Sequence, residues 1–237
     1  MISKNNIKYI QSLHLKKNRD EEHIFIVEGP KMVNELLQSG LQVEQIYAVD
    51  GNWLQTDGVN SNAQVISSDA LKQISGLRTP NQVIALAKQK PQREPDDKLM
   101  IMLDGIQDPG NLGTIIRIAD WFGIQHIIAS GDTADEYNPK VIQATMGSIF
   151  RINIMYTDLE DFLRANTLKI YAAMLDGNDI TQHPKIAEGV ILIGNESKGI
   201  RENLQRFIAE KITIPSRGKA ESLNASVALG IILSHMI

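Results

Sequence analysis

Leu103-Asp104-Gly105-Ile106-Gln107-Asp108-Pro109-Gly110-Asn111-Leu112-Gly113-Thr114-Ile115-Ile116-Arg117 contains the change of hydrophobic period that decides the fold. The apolar run Leu99 to Leu103 leads into it, and a short continuous run of this kind marks a strand buried on both faces. The run ends in a loop holding Gly105, Gly110 and Gly113, after which Ile115, Ile116, Ala119 and Phe122 recur at helical spacing. Downstream, further strands are expected at His126 to Ala129, Ile152 to Met155, Ile170 to Leu175, Val190 to Ile193 and Ile212 to Ile214. Helical segments lie between most of them, and the last helix is expected from about Ser222 to His235. Strands alternating with helices imply an α/β domain with a largely parallel sheet covered on both faces.

Upstream, Lys88-Gln89-Lys90-Pro91-Gln92-Arg93-Glu94-Pro95-Asp96-Asp97 is polar and holds two prolines, so it reads as an extended connector. A surface loop within one domain is the alternative. Before it, Ile7, Ile10 and Leu13 fit one helix face, and Ile24 to Val27 reads as a strand. Gly29-Pro30 opens a helix through Met32, Val33, Leu36 and Leu37 that stops at Gly40. Ile46 to Val49 and Val65-Ile66 are strands, Ser68 caps a short helix through Leu71 and Ile74, and Val83 to Ala87 closes a small α/β unit. The expected division is 1–88, a linker at 89–97, and 98–237.

Composition narrows the function classes. The 237 residues are 43% hydrophobic and 22% charged, ordinary for a globular chain and against wholesale disorder. The absence of cysteine rules out disulfides, thiolate metal sites and a cysteine nucleophile, and suits a reducing cytoplasm. No apolar run has the length of a membrane span, and Met1 to Ile10 alternates polar and apolar residues without a secretory apolar region. The net charge of −4 argues against indiscriminate nucleic-acid binding but leaves room for a local cationic patch.

Ligands of open parallel sheets gather at the carboxyl ends of strands, so the loops there are where chemistry is sought. In the first loop, Asn111 stands about where a helix N-cap belongs. Arg117 follows near the second helical turn, where an ordinary surface residue would serve, or where a planar fork of donors would clamp a phosphate or polarise a hydroxyl. The dinucleotide glycine fingerprint and the Walker lysine are both missing, against a nucleotide-dependent dehydrogenase or kinase. In the second, Ile191-Leu192-Ile193-Gly194-Asn195-Glu196-Ser197-Lys198-Gly199-Ile200, a glycine directly after a buried strand allows close approach to the backbone. Glu196 suits a ribose or amine, or simply the start of a helix. The third, Ile214-Pro215-Ser216-Arg217-Gly218-Lys219-Ala220-Glu221-Ser222-Leu223-Asn224-Ala225-Ser226, carries Arg217 and Lys219 beside a helix start that Ser222 or Asn224 can cap.

Taken together, Asp108 to Gly113 with Arg117, Gly194-Asn195-Glu196 with Gly199, and Ser222 to Ser226 resemble the three motifs of the SpoU (TrmH-type) RNA methyltransferases of the SPOUT class. The resemblance covers Leu99 to Ile237. Phe25 to Lys31 resembles the amino-terminal RNA substrate-binding domain of many members. It implies a carboxyl-terminal sheet folded through a trefoil knot, an exception to the rule against knots, with a small amino-terminal α/β RNA-binding domain. It further implies a homodimer that uses S-adenosylmethionine to methylate a ribose 2′-hydroxyl of structured RNA, ribosomal more than transfer RNA, in the cytoplasm, with no metal and no membrane. By resemblance, Asn111, Arg117, Glu196, Ser222 and Asn224 match catalytic or site-shaping positions. Gly194, Ile214 and Leu223 match cofactor contacts, with Thr145, Met146 and Gly147 lining the same pocket. Lys16, Lys17, Arg19, Lys31, Arg217 and Lys219 are candidate RNA contacts. A catalytically inactive RNA-binding or assembly protein of the same fold is the rival reading.

Overall fold

The structure is a computed structural model that describes residues 2–52, 63–96 and 98–237. Met1 and Asp97, included above in the amino-terminal pattern and the linker, lie outside the described residues. The chain forms two compact units: Met1–Pro91 with Asp135–Phe150, and Gln92–Ala134 with Arg151–Ile237. The segment Asp135–Phe150 departs from the division read from the sequence, in which 98–237 was continuous. Gln89 and Lys90, read as linker, are bonded into the first unit: Gln89 N donates to His23 O at 2.8 Å and Lys90 N to the Tyr137 hydroxyl at 2.9 Å.

The first unit opens with α1 (Lys4–Ser12) and α2 (Lys16–Glu22), followed by β1 (Ile24–Glu28), α3 (Pro30–Gln38), β2 (Val43–Ala48) and β3 (Ala63–Val65). After these come α4 (Ser68–Ile74) and β4 (Val83–Lys88), with strand order β1-β4-β2-β3. Ile10, Leu13, Ile26, Leu71, Ile74 and Ile84 form the core on one side of this sheet. Ser67, not Ser68, caps α4, accepting from Ala70 N. Glu28 is buried and holds the Ser75 hydroxyl and Gly76 N, so this part of the Phe25 to Lys31 stretch serves the fold.

In the second unit, β5 (Leu99–Asp104), α5 (Pro109–Trp121), β6 (His126–Ser130), β7 (Asn153–Thr157), α7 (Leu159–Ala165) and β8 (Ile170–Asp179) follow in order, with α6 (Pro139–Thr145) in the first unit between β6 and β7. β9 (Gly189–Gly194), α8 (Glu202–Gln205), β10 (Glu210–Thr213) and α9 (Ala225–Met236) complete the unit. The strand order is β10-β8-β9-β5-β6-β7, and every pairing is parallel. From β5 the chain steps outward to β6 and β7, then returns to the other side, which makes the junction of β5 and β9 the switch point of the sheet. There Asp104 pairs in register with Gly194, so the first and second loops leave the sheet side by side.

Helix α5 has complete ends. Asp108 caps it by accepting from Asn111 N at 2.9 Å, and Pro109 sits at its first position. Leu112, Ile115, Ile116 and Ala119 are buried. Gly123, at φ 72°, closes it, with Gly123 N donating to Asp120 O and Ile124 N to Ala119 O. Asn111 is therefore the third residue of the helix and not its cap, which frees its side chain.

Candidate active site

One residue from each of the three loops joins a single hydrogen-bonded chain. Asn224 caps α9, its Oδ1 accepting from Ser226 N at 3.0 Å, Val227 N at 3.3 Å and the Ser226 hydroxyl at 2.6 Å. Those helix donors fix the orientation of its amide, because an amide nitrogen cannot accept from them. Asn224 Nδ2 thus points outward and donates to Asn111 Oδ1 at 2.8 Å. Asn111 Nδ2 in turn donates to Glu196 Oε1 at 2.6 Å. The direction of donation runs from the start of α9 to a carboxylate, and each amide polarises the next.

The Asn195–Gly199 turn presents Glu196. Asn195 and Gly199 exchange backbone bonds of 3.1 and 2.9 Å, and Asn195 Oδ1 accepts from Ser197 N and Lys198 N. Asn195 Nδ2 reaches Gly105 O at 2.6 Å, tying the second loop to the first. Gly194 is required by this turn itself: an added Cβ would lie 2.5 Å from Gly199 C and 2.6 Å from Ile200 N. The space read from the sequence as room for a ligand is filled by the chain's own backbone.

Beside the turn lies a polar cluster that the sequence reading missed. Asp104, 1% exposed at the end of β5, accepts from Arg201 N at 2.8 Å, and its other oxygen lies 3.1 Å from Arg201 Nε. Arg201 NH2 also reaches Asp132 Oδ2 at 2.5 Å. The Ser130 hydroxyl donates to Asp132 Oδ1 and accepts from Gly105 N. Burial raises the Asp104 carboxyl above its ordinary range, offset by Arg201. The Ser130 hydroxyl bond, followed by Arg201, lowers that of Asp132. Asp104 stood in the opening stretch directly after the expected strand, but no local spacing connects it with Arg201, 97 residues away.

The remaining candidates divide. Arg117 and Ser222 are exposed and, among the described residues, their side chains make no hydrogen bond or ion pair. Ser222 does not cap α9. Ile214 is half-buried just past β10, and Leu223, 48% exposed, directly precedes Asn224. Leu175 is 80% exposed, and the Thr213 hydroxyl, next to Ile214, bonds its carbonyl at 3.4 Å. It was read only as the end of a strand. Thr145, Met146 and Gly147 belong to the first unit, not to the unit that holds the three loops. The Thr145 hydroxyl is buried and donates to Ile142 O, and a Cβ at Gly147 would lie 2.9 Å from Glu35 Cγ. Met146 is exposed.

Arg19 is a correction among the RNA candidates. It is 2% exposed, with its guanidinium spent on Leu13 O, His14 O and Asp135, so it cannot meet a phosphate. Lys16 is exposed but paired with Asp20 at 2.5 Å. Lys17, Lys31, Arg217 and Lys219 are exposed.

Fold and site define an open parallel α/β domain whose polar side chains gather at the carboxyl ends of adjacent strands. Residues 98–234 match the SpoU rRNA Methylase family, and residues 4–85 match the MRM3-like substrate binding domain. The chain belongs to the SpoU rRNA Methylase family. It is 30% identical over 235 residues to the 23S rRNA (guanosine(2553)-2′-O)-methyltransferase RlmP of Bacillus subtilis (strain 168), covering 97% of this chain and 95% of that one. It is 28% identical over 229 residues to the 23S rRNA (guanosine-2′-O-)-methyltransferase RlmB of Coxiella burnetii, covering 94% and 86%. The AdoMet-bound rRNA methyltransferase of Sinorhizobium meliloti superposes with a TM-score of 0.86 at 32% identity, covering 99% of this chain and 95% of that one.

Proposed function

We propose that the chain transfers a methyl group from S-adenosylmethionine to a ribose 2′-hydroxyl of ribosomal RNA. The observation that carries this reading is the Asn224–Asn111–Glu196 chain, which joins the three loops into one polar site. The relatives support the substrate, since RlmP and RlmB carry 23S rRNA 2′-O-methylation in their names, and the Sinorhizobium structure holds AdoMet.

Leu175 within β8, the carboxyl ends of β9 and β10, and Leu223 fit such a cofactor. Leu175 and Leu223 expose apolar surface suited to a flat adenine, and Ile214 and Gly194 would offer backbone groups to it. When bound, the cofactor supplies an already electrophilic sulfonium methyl, so the protein need only align the hydroxyl and assist loss of its proton. An arginine guanidinium is a poor general base. The role of Arg117 is to orient the 2′-oxygen and stabilise the charge that develops there, with a substrate phosphate taking the proton. Glu196 and Asn224 hold Asn111 in one amide orientation at the site, and the exposed Ser222 two residues before Asn224 would add a hydroxyl to it.

The first unit is the RNA-binding one, with Lys16, Lys17 and Lys31 as its phosphate contacts; within the second unit Arg217 and Lys219 of the β10–α9 loop are separate candidate RNA contacts. A trefoil knot is supported by a strand order in which β9 lies between β5 and β8 while β10 lies outside β8 and α9 packs on α5. A homodimer through the second unit is supported by the exposed Trp121 on α5 and Val227 on α9. The site of action is the cytoplasm, where ribosomal RNA is processed; among the described residues no helix is long and apolar enough to cross a membrane. The test is transfer of tritiated methyl from S-adenosylmethionine to total ribosomal and transfer RNA. RNA binding without incorporation would instead establish the inactive binding protein.

A further inference from the structure

Arg201 is tied on both sides of its backbone. Its own N–H is held by the buried Asp104 and Ile200 before it is buried, so part of the anchoring of this segment comes from its backbone and apolar packing. Yet the side chain, half-exposed at the same end of the sheet as the three loops, bridges Asp104 and Asp132. Its Nε lies 3.1 Å from Asp104 Oδ1, which still lacks a hydrogen bond of proper direction, while its terminal nitrogen meets Asp132. Asp132 is fixed by Ser130, which also receives Gly105 N, and Gly105 O holds the other end of the turn through Asn195. The turn that carries Glu196 is thus gripped at its entry by the first loop and at its exit by the guanidinium.

We infer that Arg201 is a positioning residue: its guanidinium, shared between Asp104 and Asp132, fixes the exit of the Asn195–Gly199 turn and so holds Glu196 against Asn111. The inference rests on the site assignment above. A guanidinium meets two carboxylates through nitrogens set in one rigid plane, whereas a lysine ammonium is a compact point charge on a flexible stem and does not reproduce that geometry. The guanidinium acts only through Glu196 and touches no reacting atom.

The experiment is steady-state methyl transfer to ribosomal RNA by the full chain carrying Arg201→Ala, Arg201→Lys, Glu196→Gln, or Arg201→Ala with Glu196→Gln. Arg201→Ala is expected to lower kcat ~10-fold with the RNA KM unchanged within about twofold. Arg201→Lys is expected to recover only part of the loss. Because both residues act through one contact, the double variant should turn over no more slowly than Glu196→Gln alone. Multiplied losses in the double variant, or wild-type turnover by Arg201→Ala beside an impaired Glu196→Gln, would overturn the inference. Wild-type turnover by Glu196→Gln would overturn the site assignment itself, and the inference with it. If Arg201→Ala does not fold, Asp132→Asn removes only the exposed arm of the bridge. It is expected to lower kcat roughly threefold without adding to Glu196→Gln, and wild-type turnover by Asp132→Asn would equally overturn the inference.

Discussion

Asn224 uses its two amide atoms for two different purposes, one structural and one in the site. Its oxygen caps α9 and its nitrogen orients Asn111. Asn224→Asp keeps an acceptor for the helix start but loses the donor, so melting should shift little while methyl transfer falls ~10-fold or more. Asn224→Ala loses both, and should add roughly 1 kcal/mol of destabilisation. Thermal unfolding measured beside methyl incorporation checks the pair, and wild-type turnover by Asn224→Asp would remove the amide chain from the mechanism. Arg117→Ala should lower turnover by about a hundredfold while leaving cofactor affinity nearly unchanged, since an orienting cation acts mainly in the transition state. Arg117→Lys should restore little, because a point charge does not reproduce the fork. Kinetics run beside calorimetric cofactor titration checks both, and near-wild-type turnover by Arg117→Ala would contradict the assigned role. The identities of Asn111, Glu196 and Asn224 were legible from their motifs, but their mutual bonding was not, because it depends on which strands become neighbours.

At the scale of elements, the turn after β9 makes the clearest demand. Valine at Gly194 would press against the Gly199 and Ile200 backbone, which must move. Gly194→Val should therefore lose cofactor binding and turnover together, read by calorimetry and methyl incorporation, whereas filling an empty ligand space would spare the turn. Retained cofactor affinity would show that the turn tolerates displacement. Strands β5, β6 and β9 were legible because continuous apolar runs survive in any buried parallel sheet. Helix α2 was not: its sequence Lys16-Lys17-Asn18-Arg19-Asp20-Glu21-Glu22 has no hydrophobic period, and its one buried residue is Arg19. β8 runs on to Asp179, four residues beyond Leu175, through polar positions that carry no strand signal. Gly177 allows that extension, since a Cβ there would lie 2.6 Å from the Ile212 backbone.

For the whole molecule, the division into units was only partly legible. Asp135–Phe150 reads as one more strand-to-helix connection, and its place in the first unit is set by long-range bonds such as Arg19 to Asp135 and Gln143 Nε2 to Glu28 O. Within that segment burial pushes the Glu136 carboxyl up to about 7, against the attraction of Lys90. Unfolded, the group titrates near the ordinary value of 4.5, so between these values only the folded chain holds the proton. This contribution to stability is fully present below the unfolded value and is lost as pH rises through about 7. Glu136→Gln should flatten the decline, measured by urea unfolding from about pH 5 to about pH 8, and an unchanged slope would exclude Glu136 as its source. Trp121→Glu should shift the chain toward monomer in light scattering, since it places a charge in the proposed dimer face, and an unaltered dimer would move that face elsewhere. The central claim is transfer of a methyl to a ribose oxygen, and it is tested by incubating the chain with ribosomal RNA and methyl-tritiated S-adenosylmethionine, followed by alkaline hydrolysis. Label recovered in alkali-resistant dinucleotides, which form only where the 2′-hydroxyl is blocked, is the predicted result. No incorporation, or label in mononucleotides bearing a methylated base, would contradict it.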